Sequence, residues 1–125
     1  MTRDEIMKMQ PGWELNALVA EKVMGWFLDS DIGYWRNESG LCKRQDKWSP
    51  SEDIAAAWEV WEHDRPKKWN FDLCYSDGTY LAEIYKPDDV IGVRILAQVE
   101  SKSAAEAMVK CRLLAVMEGE DETRD

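Results

Sequence analysis

One histidine, three scattered cysteines and no glycine-rich phosphate loop leave this chain of 125 residues with few of the side chains from which catalytic sites are built. His63 lies among Glu62, Asp64 and Arg65, with no serine or cysteine beside it to activate, so no nucleophile and base are paired in the sequence. A solvated histidine near a helix C-terminus is its plain reading. Cys42, Cys74 and Cys111 are odd in number and form no CxxC unit, which excludes a disulfide framework and a zinc motif and suits the reduced thiols of a cytoplasm. The seven glycines are dispersed, which excludes a P-loop. The carboxylate pairs Glu52-Asp53 and Asp88-Asp89 fall at a helix start and in a turn. No catalytic residue, metal ligand or cofactor is assigned, and the chain is expected not to be an enzyme.

Long apolar runs are missing too. None reaches the roughly 18 residues that cross a bilayer, and the opening MTRDEIMKMQ holds no apolar secretory core. A cytoplasmic chain away from the membrane is expected. Basic residues are also in short supply, 16 against 25 acidic, for a formal charge of −9. Direct binding to duplex nucleic acid, which needs a basic surface, is therefore not expected. Five of the acids crowd into residues 118–125, EGEDETRD, so residues 119–125 are read as an acidic, disordered tail on a single domain spanning 1–118. Residues 36–47 run the other way, with Arg36, Lys43, Arg44 and Lys47 against Glu38 and Asp46.

What is present is periodic. In WELNALVAEKVMGWF, Leu15, Leu18, Val19, Val23, Trp26 and Phe27 recur at three- and four-residue steps, which predicts a helix begun at Pro11-Gly12. A short helical turn fits residues 2–8. Tyr34 and its neighbours and Leu41–Arg44 flank the turn-forming Asn37–Gly40 as a hairpin. Ser49-Pro50-Ser51-Glu52 reads as a capping box opening a second helix, with Ile54, Ala57, Trp58 and Trp61 on its inner face. Residues 69–76 alternate as a strand, Asp77-Gly78 is a two-residue hairpin turn, and 79–85 and 93–99 complete a meander. Ser103 and Glu106 then cap a last helix whose inner face holds Ala107, Met108, Cys111, Leu114 and Ala115. The order α-(hairpin)-α-β-β-β-α predicts an α+β fold, an antiparallel sheet of three or slightly more strands packed by helices in an α/β/α sandwich.

Three segments, LNALVAEKVMGW (15–26), WSPSEDIAAAWEVWE (48–62) and AAEAMVKCRLLAVME (104–118), resemble in order the helical blocks of the phage ABA sandwich domain family. The resemblance implies a small phage or prophage protein with an antiparallel sheet between helices; it brings no catalytic or binding residues with it.

Tryptophan is the one excess, with seven residues. Trp26, Trp58, Trp61 and Trp69 fall on predicted inner faces and are read as core. Trp35 and Trp48 bracket Arg36, Lys43 and Arg44, and these five form the candidate binding residues. Outward-facing indoles beside cations would stack a nucleotide base or anchor a protein, whereas inward-facing ones would fasten the hairpin to the domain. Three functional expectations follow: an accessory protein that binds a host or phage protein, a counter-defence protein that sequesters a nucleotide signal, and an enzyme of no recognisable motif. Surplus apolar faces also leave room for a homodimer.

Overall fold

The computed structural model describes residues 2–124, with side chains through Met117. The fold is α+β, with the expected meander sheet packed by helices and a second three-stranded antiparallel sheet where the sequence suggests only a hairpin.

Helix α1 (Arg3–Lys8) is closed by a reciprocal capping box between Thr2 and Glu5. After it, α2 (Trp13–Val19) widens into a π-helical turn over Ala20–Met24. The expected helix to Phe27 is cut short there, because Gly25 adopts φ 72° and the left-handed residue diverts the chain. Trp26 is buried all the same, but Phe27 leaves the core and opens β1 (Phe27–Asp29). Strands β2 (Tyr34–Asn37) and β3 (Gly40–Arg44) form the expected hairpin and, with β1, a sheet in the order β1-β2-β3.

The expected capping box at Ser49 does not open a helix. Helix α3 (Ile54–Glu62) starts later, with Asp53 as its N-cap accepting the Ala55 N–H at 3.1 Å. Ser49 and Ser51 serve a cross-link instead. The Asn16 amide donates to Ser49 Oγ at 2.9 Å, its carbonyl accepts the Ser51 N–H at 3.0 Å, and Ser51 Oγ accepts the Gly12 N–H at 2.9 Å. These bonds fasten the loop to the start of α2 and satisfy the buried Asn16. The buried face of α3 also differs from the expected one. Ala56, Ala57, Val60 and Trp61 face inward, and Trp58, expected in the core, lies 41% exposed with its edge on Phe71.

The large sheet comprises β4 (Asn70–Ser76), β5 (Thr79–Asp88) and β6 (Gly92–Ser101), in that order. Asp77 and Gly78 both take positive φ, 52° and 79°, the requirement of the tight hairpin read from the sequence. Strand alternation turns Ala82, Ile84, Ala97 and Val99 inward beneath α4 (Ala104–Arg124). Cys111 Sγ sits 3.5 Å from the carbonyl oxygens of Ala82 and Ala97, which places the helix directly on the sheet.

Helix α4 is buried all round over residues 107–115, because α3 and the α2 segment pack on it from other sides. Two cations are buried with it. Lys110 donates to the Met7 and Met9 carbonyls at 3.0 and 2.6 Å and pairs with Glu106 at 3.2 Å, so it ties down the end of α1. Arg112 lies over the Trp69 ring and donates to the His63 carbonyl at 2.7 Å. Burial pushes its pKa down to about 10, which leaves it charged at neutral pH. The expected acidic tail at 119–125 lies outside the residues whose side chains are described.

Candidate interaction surface

The five candidate residues do not share a surface. Trp35 and Trp48 are core residues, 1% and 4% exposed. Trp35 packs flat on Trp13 with ring centroids 5.8 Å apart, and Trp48 packs on Trp26 at 4.9 Å. In β2, Trp35 is buried while Arg36, the register partner of exposed Phe27, reaches the surface, and Trp48 lies in the loop between β3 and α3. A stacking pocket with both indoles facing outward beside Arg36, Lys43 and Arg44 therefore does not form.

The three cations are surface residues, each beside an acid. Arg36 binds Asp29 at 2.9 Å and lies over the Phe27 ring, Lys43 meets Glu59 of α3 at 3.5 Å, and Arg44 meets Asp46 at 2.9 Å. Exposed pairs of this kind contribute about 0–1 kcal/mol each, so they order the small sheet's surface more than they stabilise it. The excess positive charge read from residues 36–47 is thus locally neutralised.

A different region breaks the usual surface pattern. Beyond the Asn70–Tyr85 pair β4 has ended, and β5 and β6 continue alone to Asp88 and Gly92 as a two-stranded arm. Val90 at its tip is 91% exposed and Ile91 69%, while Val93 and Ile95 along one face are 51% and 54% exposed. Four aliphatic side chains close together in the chain are thus exposed to water on the arm, and clustered exposed apolar residues of this kind mark contact sites.

The tip is organised despite its exposure. Asp88 accepts the N–H groups of Val90 at 2.8 Å and Ile91 at 3.0 Å, and Gly92 supplies the positive φ of 89° that returns the chain. The backbone bonds from Ile91 and then Val90 hold the Asp88 carboxyl below the ordinary carboxylate range. Sequence reading misses this patch, because Val90 and Ile91 stand in a turn and Val93 and Ile95 resemble an ordinary buried strand face. No sequence signal marks it, since the strands read as 69–76, 79–85 and 93–99 are of similar length; only in the structure do β5 and β6 run to ten residues and β4 to seven, so that the ends project.

The remaining groups are quiet. Among the described residues no three carboxylates, cysteines or histidine converge as metal ligands would, and no helix is long and apolar enough to cross a membrane. Burial pushes the Cys111 thiol up to about 12. Compared with known proteins, residues 17–111 match the family model described as the phage ABA sandwich domain. No curated protein and no solved structure matches the chain. The matched span contains both sheets, α3 and the arm.

Proposed function

From the premise that this chain belongs to the phage ABA sandwich domain family, a phage-associated one, we propose that it is a non-enzymatic accessory protein that works by binding a protein partner of the phage or its host. The observation that carries this reading is the arm, whose apolar tip and face stand in water on a backbone held in shape by Asp88. Pre-ordered apolar surface lowers the entropy lost on association, which favours a contact role over an accidental exposure. A nucleotide-binding reading has lost its stacking indoles to the core.

Site-specific photocrosslinking tests the proposal. A photoreactive residue replacing Val93 in the full chain, irradiated in host cells with and without phage, should join one protein reproducibly, and the join should vanish when Val90 and Ile91 are both changed to Asp. Crosslinks that are absent, or that survive the double change, would overturn it.

A further inference from the structure

The two faces of the large sheet differ in chemistry. The inner one is closed by α4 over small and aliphatic residues. On the outer one, register places Glu83 opposite Asp72 and Gln98, and Leu81 opposite Cys74 and Glu100. Asp72 and Glu100 are exposed, and Glu83 is half-buried and accepts a hydrogen bond from Gln98 at 3.1 Å. Tyr85 and Ile95, opposite each other, carry this face onto the arm. Lys86 and Arg94, the cations of these strands, are register partners that alternation turns to the opposite side. On this face a polar row of Asp72, Glu83 and Gln98, with Glu100 beside Leu81, thus separates Leu81 from the apolar Tyr85, Ile95 and Val93 of the arm, and no lysine or arginine of the sheet shares it.

Resting on the reading of the arm as a contact surface, we infer that this face docks a cationic amphipathic helix of the partner protein. Its apolar side chains would meet Tyr85, Ile95 and Val93 at one end and Leu81 at the other, and its lysines or arginines would reach Asp72, Glu83 and Glu100 between and beside them. Size supports the match: where β4 pairs with β5, three strands about 4.8 Å apart make a strip roughly 10 Å across, the width of one helix, and the two-stranded arm extends it to roughly 33 Å along β5, enough for about six turns. A depression of about 310 Å³ lined by Cys74, Ser76, Thr79, Leu81 and Glu100 gives one end of the strip relief for a side chain. Charge selects the occupant. A second copy stacked face to face would set these carboxylates against their equivalents, and nucleic acid would meet them with phosphates, whereas a cationic helix meets complementary potential on a chain of charge −9.

The probe is a labelled synthetic peptide of leucine and lysine in helical alternation, titrated with the full chain by fluorescence anisotropy. Two controls accompany it: the same pattern with glutamate for lysine, and the leucine–lysine composition scrambled. The patterned cationic peptide should bind about tenfold tighter than either control. Neutralising the face as D72N/E83Q/E100Q should weaken it about tenfold, while neutralising the exposed Glu14, Glu21 and Asp31 should change it less than about twofold. Equal binding of the glutamate peptide, or equal losses in the two triple variants, would overturn the inference. A crosslinked partner without peptide binding topples this inference alone, and peptide binding without a crosslinked partner topples only the accessory-protein reading.

Discussion

Trp35 and Arg36 are adjacent in sequence and perform unrelated tasks, since successive strand residues face opposite ways. Replacing Trp35 with Ala would empty a large volume beside Trp13, and a loss of about 3–5 kcal/mol in urea unfolding is expected. Arg36→Ala, which removes the half-exposed pair with Asp29 and the cation–π contact over Phe27, should cost about 1–2 kcal/mol. If the two variants unfolded at the same urea concentration, the core assignment of Trp35 would be wrong. The cysteines divide in the same way. Thiolate is the reactive form, and a thiol pushed up to about 12 is almost wholly protonated near neutrality. With iodoacetamide at neutral pH, mass spectrometry should find exposed Cys74 modified first and half-buried Cys42 later. Cys111 should react only once the fold is opened with urea.

At the scale of elements, termini and turns decide more than periodicity does. Gly25 sits at φ 72° with nothing within 4 Å of where a Cβ would stand, so Gly25→Ala is a test of backbone conformation alone. It should lower stability by about 1–2 kcal/mol, read as a shift of the urea midpoint at constant slope. The same residue shows why the first helix was only partly legible. Its apolar spacing continues through Trp26 and Phe27, and periodicity alone gives no reason to stop at Met24. The box at Ser49 misleads for a related reason: the local pattern is sound, but Asn16, distant in sequence, recruits Ser49 and the Ser51 backbone into a loop. The Asp77-Gly78 hairpin was legible because its geometry depends on the two turn residues themselves.

The arm's turn has a pH dependence of its own. Because bonds from the Ile91 and Val90 amides depress the Asp88 pKa, the order they confer is present above the ordinary carboxylate pKa and lost as pH falls through the depressed value. In NMR, the Val90 and Ile91 amide resonances should titrate together in that acidic window. Asp88→Ala should abolish the titration and leave the tip disordered at neutral pH, with the rest of the spectrum unchanged.

For the whole molecule the layers were readable, since amphipathic helices and a strand meander announce the sides they bury. The candidate surface was not readable, because exposure depends on which strands end first and which helices cover which face. The small sheet raises the remaining question, whether it is an appendage or part of the same cooperative unit. Trp35 of β2 stacks on Trp13 of α2, Trp48 after β3 packs on Trp26, and Lys43 reaches Glu59 of α3, so its contacts run into the main body. Buried Trp35 and Trp48 belong to one apolar cluster with Trp61, Trp69 and the inner residues of the large sheet. Unfolding in urea should therefore be two-state, with far-ultraviolet circular dichroism, which follows the helices and large sheet, and tryptophan fluorescence falling on one curve. An early fluorescence transition, ahead of the loss of helix, would mean that the small sheet opens by itself. It would also mean that Trp35 and Trp48 can be reached from solvent before the domain unfolds.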